Sequence, residues 1–170
     1  MNAMILVVED DENDLMFLRM AMKRAGVTNP IQVARDGQEV LDYFQGNGKF
    51  ADRAAFPLPY LVLLDLKLPY VMGLDVLTWI RGRRQFKSTI VIALTSSRYT
   101  EDIRLAYQLG ANAYLVKPAD LNALEGMMRT LKDFWLTQNT PAPDWARRQT
   151  EKTKDQRVKA GKGQPKRGTR

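Results

Sequence analysis

Tyr60-Leu61-Val62-Leu63-Leu64-Asp65-Leu66-Lys67-Leu68-Pro69 is the stretch on which the fold turns. Its continuous apolar run has the character of a strand buried on both faces of a parallel sheet, and it stops at a single carboxylate, Asp65. In open α/β sheets reactive groups collect at the carboxyl ends of the strands, so Asp65 stands where chemistry is expected. One acid in that place reads equally well as a turn or capping residue. Its meaning depends on what the other strand ends bring to it.

Four further apolar runs have strand length: Met4–Val8, Ile31–Ala34, Ile90–Leu94 and Ala113–Val116. Between and after the runs the spacing turns helical. Leu15, Leu18 and Met22 share one face, with Gly26 as the stop, and Asp36-Gly37 leads into a helix carrying Val40, Leu41 and Phe44. Val76, Leu77 and Ile80 mark a third helix from about Gly73 to Gln85, and a fourth spans about Thr100 to Leu109 and stops at Gly110. A fifth opens at Asp120 with the stripe Leu121, Leu124, Met128, Leu131 and Trp135, flanked by Met127 and Phe134. Strand and helix alternate five times, which predicts an α/β domain with a doubly wound five-stranded parallel sheet covered on both faces. Gly46–Pro59 is a connection longer than usual, the kind of loop that is functional or mobile. Arg81, Arg83 and Arg84 read as a solvated cluster complementing the dipole at a helix end.

Composition narrows the chemistry. The 170 residues include no cysteine and no histidine, which excludes disulfides, thiolate sites, imidazole acid–base catalysis and a phosphohistidine donor within the chain. The N-terminus lacks the basic-then-apolar pattern of a signal peptide, and Asp65 and Lys67 interrupt the most apolar stretch, so no membrane span is expected. The absence of cysteine fits a reducing cytoplasm. From Pro141 onward ten basic residues face three acids, a net +7 equal to that of the whole chain, which leaves residues 1–140 balanced. The expected organisation is a folded domain over residues 1–140 and a basic tail over 141–170, disordered in isolation apart from a transient helix near Trp145–Val158.

The strand ends carry complementary groups: Glu9 and Asp10 after the first run, Asp65 after the third, Thr95 after the fourth, Lys117 after the fifth. A right-handed parallel sheet puts these ends on one edge. Clustered carboxylates form an oxygen-only set suited to a hard cation such as Mg²⁺, and an ionised carboxylate beside it can accept a phosphoryl group. The Lys117 ammonium and the Thr95 hydroxyl suit the phosphoryl oxygens, since phosphoryl transfer mainly requires positioning and charge neutralisation. The plainer reading makes Asp10 or Asp11 a cap of the first helix, Thr95 or Ser97 a cap of the fourth, and Tyr114 a half-buried strand aromatic.

V-V-E-D-D, L-L-D-L-K-L-P, A-L-T-S-S and Y-L-V-K-P, in that order, resemble the receiver domain of two-component response regulators over residues 3–139. The long loop before the third strand and D-F-W-L at Asp133–Leu136 are more narrowly similar to the stand-alone, single-domain regulators that partner bacterial phytochrome histidine kinases. The resemblance implies the (βα)5 flavodoxin-like receiver fold and a phosphoprotein that is not an enzyme in the ordinary sense, since it catalyses only its own phosphorylation and dephosphorylation. It implies that Asp65 is the phosphoacceptor for a sensor histidine kinase and that Mg²⁺ is held by Asp10, Asp65, the Lys67 carbonyl and, through water, Glu9. Thr95 and Tyr114 would be the switch pair, and Lys117-Pro118 is similar to a bond that is cis in the family. Two departures stand out: Glu9 replaces the more usual aspartate, and Lys67 lies where side chains influence the hydrolytic water.

Tyr107, Phe134 and Trp135 offer an apolar surface for a homodimer through the fourth helix, fifth strand and fifth helix. The tail suits either a nucleic-acid or anionic-membrane output or a solubilising role. Two other classes fail on motif. No G-x-x-x-x-G-K-[ST] accompanies L-V-L-L-D, and Lys67 stands where a haloacid-dehalogenase phosphatase needs a second aspartate.

Overall fold

A computed structural model describes residues 3–143. The expectations for the tail beyond residue 143 lie outside the described residues. Five strands, β1 (Ile5–Val8), β2 (Ile31–Ala34), β3 (Leu61–Leu64), β4 (Ile90–Thr95) and β5 (Ala113–Val116), pair in parallel in the order β2-β1-β3-β4-β5. The helices between and after them are α1 (Glu12–Arg24), α2 (Gly37–Gln45), α3 (Gly73–Arg81), α4 (Thr100–Gln108) and α5 (Leu121–Leu131). In register, Val8 lies beside both Ala34 and Leu64, so β1, β2 and β3 finish level; Leu64 lies beside Ala93, and β4 runs two residues further to end beside Val116 of β5.

The pleat divides the core. Ile5, Val7, Leu61, Leu63 and Ile92 point to α1 and α5, where they pack on Leu15, Leu18, Met22, Leu124, Met128 and Leu131. Leu6, Val8, Val62, Leu64 and Val91 point to the opposite layer and meet Val40, Phe44, Val76, Leu77 and Ile80. Every side chain of β1 and β3 is buried, which is why those strands are apolar throughout instead of alternating. Among the described residues no helix is long and apolar enough to cross a membrane.

Several expectations are corrected. The third helix ends at Arg81, and a 3₁₀ turn, Arg84–Phe86, replaces its last turn. Arg81 is not part of a solvated cluster: Nε donates to the Gly110 carbonyl at 2.9 Å, Nη1 to Thr89 at 3.0 Å, and Nη2 to Asn112 Oδ1 at 2.9 Å. Burial pulls its pKa below the ordinary value, and the rigid guanidinium fork satisfies three acceptors at once. Arg83 lies over the Trp79 ring at 3.6 Å.

The Gly46–Pro59 connection is packed. Tyr43, Phe50 and Phe56 form an aromatic trio with centroids 5.0 and 5.2 Å apart along Tyr43–Phe50–Phe56, and Arg53 donates to the carbonyls of Tyr43, Phe44 and Phe56. The fifth helix changes winding after Leu131, and Lys132–Gln138 is π-helical. The Leu121-to-Trp135 stripe therefore does not run at one period; Trp135 is half-buried against the α1/α5 core, and its carbonyl accepts from the Tyr60 hydroxyl at 3.1 Å.

Candidate phosphoacceptor site

Glu9 and Asp65 are held in matching ways at the ends of β1 and β3. Each gives one carboxylate oxygen to a backbone amide: Glu9 Oε1 accepts from Asp11 N at 3.3 Å, and Asp65 Oδ1 accepts from Lys67 N at 3.0 Å. Each gives its other oxygen to the Lys117 ammonium, which donates to Asp65 Oδ2 at 2.6 Å and to Glu9 Oε2. Lys117 also donates to Asp14 Oδ2 at 3.0 Å. The three side chains at the centre are largely withdrawn from solvent, with Glu9 3%, Asp65 8% and Lys117 12% exposed.

Electrostatics follow from that burial. Desolvation raises the Glu9 pKa, and the Lys117 hydrogen bond and charge offset it only in part. For Lys117, burial alone would lower the pKa; the bonds to Asp65 and Glu9 outweigh it and hold the ammonium above its usual range. The lysine is thus a fixed cation between two acids that otherwise face each other.

The neighbouring loops are pinned around this centre. A Cβ on Gly73, the first residue of α3, would lie 2.2 Å from the Asp65 carbonyl oxygen, and one on Gly37, the first residue of α2, 2.1 Å from the Val71 oxygen. Only glycine lets both helices close on the loop that follows Asp65. Thr95 is completely buried at the end of β4, and its Oγ1 accepts from Ser97 N at 3.3 Å. Tyr114, on β5, donates its hydroxyl to the Ser97 carbonyl at 3.1 Å; burial is the main reason its pKa is raised. The Lys67 ammonium lies 5.8 Å from the centre of the Tyr99 ring, joining the loops after β3 and β4.

The plainer capping readings divide. Asp11 is the N-cap of α1, accepting from Asn13 N at 2.8 Å and Asp14 N at 3.0 Å. Asp10 is exposed beside it. For α4 the N-cap position is Tyr99, with no side-chain cap bond, so neither Thr95 nor Ser97 caps it; the Ser97 hydroxyl instead bonds Asp102 and accepts from Tyr99 N. Among the described residues no peptide bond is cis, so Lys117-Pro118 is trans, the isomer an X–Pro bond favours by roughly 0.5–1 kcal/mol. Asp14 is the member that sequence reasoning missed. An acid in the first turn of a helix looks like a dipole partner, and nothing local signals that a lysine from β5 will meet it.

Among the described residues no three acidic side chains gather as a ready-made metal cage. The donor set still fits Mg²⁺, which takes one or two carboxylates and keeps several waters. Glu9 and Asp65 converge on a single cation already, and Asp10 adds an exposed carboxylate next to Glu9 in the chain.

A family model described as the response regulator receiver domain matches residues 5–129. The chain is 37% identical over 143 residues to a probable methanogenesis regulatory protein, FilR2, of Methanothrix harundinacea, covering 82% of this chain and 88% of that one. It is 33% identical to response regulator Rcp1 of Synechocystis sp., over 81% of this chain and 92% of Rcp1. The crystal structure of the Mn²⁺-bound form of Rcp1 superposes with a TM-score of 0.74 at 31% identity, covering 82% of this chain and 99% of that chain. The phosphorylated cyanobacterial phytochrome response regulator RcpA superposes with a TM-score of 0.75 at 32% identity, over 82% and 97% of the two chains.

Proposed function

The chain belongs to the response regulator receiver family of two-component signalling proteins, and from that premise we propose that it accepts a phosphoryl group from a histidine kinase onto Asp65. One observation carries the reading: a nearly buried Asp65 carboxylate is held by a backbone amide on one oxygen and the Lys117 ammonium on the other, beside a second buried acid, Glu9. In the transfer an Asp65 oxygen attacks phosphorus, the P–N bond of the donor breaks with its electron pair going to the ring nitrogen, and a proton carried on the ring's other nitrogen lets the imidazole leave neutral. The phosphoryl oxygens gain a partner in Lys117 as the aspartate gives up its charge. Asp65, Asp10, the Lys67 carbonyl and, through water, Glu9 would hold a Mg²⁺ ion, which would supply neutralising charge to the carboxylates and the phosphoryl group.

Thr95 and Tyr114 form the switch in this reading. The Thr95 hydroxyl hydrogen-bonds the new phosphoryl oxygens, and its movement is passed to β5 because the Tyr114 hydroxyl is tied to the Ser97 carbonyl. The kinase is of the phytochrome type, a reading supported by the likeness to RcpA. Exposed Tyr107 and Phe134 suit a homodimer formed through α4, β5 and α5.

The test is incubation of the full chain with acetyl phosphate and Mg²⁺, read by intact mass. One phosphate adduct that requires Mg²⁺ and is absent in Asp65→Asn is expected. An adduct that persists in Asp65→Asn, or none in the wild type, refutes the reading.

A further inference from the structure

We propose that Asp14 is a positioning residue for Lys117, the carboxylate that keeps the ammonium at the site when Glu9 and Asp65 are engaged elsewhere. The inference rests on the reading of Asp65 as phosphoacceptor and adds a residue to it. A lysine ammonium has three N–H donors, and Lys117 spends them on three carboxylates: Glu9, Asp65 and Asp14. The first two are the acids that a metal ion or a phosphoryl group would occupy. An ammonium that is only 12% exposed cannot lose both acceptors and be left without a partner. Asp14 comes from a different element, the first turn of α1, and is 48% exposed, so it is not drawn into the same competition.

Two further observations give the residue this task. Helix capping does not account for its orientation, because Asp11 caps α1 and the exposed Glu12 already supplies an acid to the first turn. The lysine also has room to move in that direction. A cavity of about 260 Å³ between α1 and α5 is bordered by Asp14, Phe17, Lys117 and Leu121. Space on that side therefore lets the lysine stem shift toward Asp14 without displacing the core.

The experiment is a double-mutant cycle on the full chain, with Asp14→Asn, Lys117→Met and the pair, read by Mg²⁺ titration calorimetry and by the rate of adduct formation from acetyl phosphate. Asp14→Asn should weaken Mg²⁺ binding and slow adduct formation, each by about fivefold, the scale of a half-exposed charge-assisted pair. Asp14→Glu, which keeps a carboxylate within reach, should restore the rate to within about twofold of wild type on the same scale. In the Lys117→Met background the Asp14→Asn effect on Mg²⁺ affinity should vanish. An equal loss in both backgrounds would mean that Asp14 acts as a plain negative charge, and no loss in either would mean that it does not act; both overturn the proposal. A wild-type chain that forms no adduct refutes the parent reading instead, and the metal titration then judges Asp14 by itself.

Discussion

Replacing Lys117 by methionine tests the electrostatics of the site most directly. Methionine keeps most of the stem's volume and removes the charge, leaving Glu9 and Asp65, 3% and 8% exposed, with no cation between them. Breaking a buried ion pair by deleting one partner costs about 3–5 kcal/mol, and the half-exposed Asp14 contact adds little to that. In a chain of this size each kcal/mol shifts Tm by about 2–4 °C, so without metal at pH 8 the variant should melt about 6–20 °C lower. The loss must depend on pH. Burial already raises the Glu9 pKa in the folded chain, and loss of the lysine raises it further. Between the unfolded and folded values the folded state binds more protons, so stability falls as pH rises through that interval and returns as pH falls. Urea denaturation at pH 5.5 should therefore show a smaller deficit than at pH 8. Mg²⁺ should restore stability at pH 8, by about 2.7 kcal/mol at a hundredfold excess over its Kd. A deficit that is the same at both pH values and insensitive to Mg²⁺ would refute the reasoning, because the lysine would then matter for packing alone.

Gly73→Ala places a methyl group 2.2 Å from the Asp65 carbonyl oxygen and 2.6 Å from Leu66 Cα, both backbone atoms. It should cost about 1–3 kcal/mol in urea denaturation and slow adduct formation at Asp65; an unchanged midpoint with a wild-type rate contradicts the close approach. Tyr43, buried under the Phe50–Phe56 pair with its hydroxyl on the Pro57 carbonyl, has a pKa pushed up to about 12 by burial. The folded state holds the phenol proton that the unfolded chain releases near pH 10, so stability should fall between about pH 10 and 12. Tyr43→Phe should flatten that alkaline slope, measured by urea midpoints across the interval; an unchanged slope assigns it to other groups.

The parts of the fold set by local burial were readable in the sequence. All five strands begin and end within a residue of the expected bounds, because residues buried on both faces must be apolar and the run ends where polarity begins. The convergence of Glu9, Asp65 and Lys117 was readable for the same reason: each terminates an apolar run, and parallel topology brings those ends to one edge. What escaped depends on partners distant in the chain. Asp14 acquires its role from a lysine 103 positions away. Arg81 looked solvated because its acceptors, Gly110, Thr89 and Asn112, are assembled only when β4 and β5 pair. Tyr43 carried a legible signal, since it follows Val40 by three and precedes Phe44, yet a hydroxyl argues for the surface until Pro57 is there to accept from it.

The electrical balance of the body conceals a segregation that follows from helix chemistry. First turns carry acids, Glu12 and Asp14 on α1, Glu39 on α2, Asp75 on α3, Glu101 and Asp102 on α4. Last turns carry Lys23, Arg24, Arg81 and Arg129. Apart from Arg81, which is held by Gly110, Thr89 and Asn112, each placement is a locally favourable response to a helix dipole. In a parallel α/β sheet, however, every such helix starts at the carboxyl edge of the strands, so the local choices sum to an acidic rim around Asp65. That rim attracts cations and would oppose the anionic donor of the proposed phosphoryl transfer. In that reading the site needs cations at its centre before the donor arrives, and the chain supplies the first of them itself. Lys117 occupies the position between Glu9 and Asp65 with its ammonium held above the ordinary range, so one of the two negative charges is already offset in the resting state. A metal bound as proposed would claim the same acids, so the Lys117 ammonium and the metal would compete for a single pair of carboxylates, and in the reading proposed for Asp14 the residue that decides where the lysine goes would decide how far they compete.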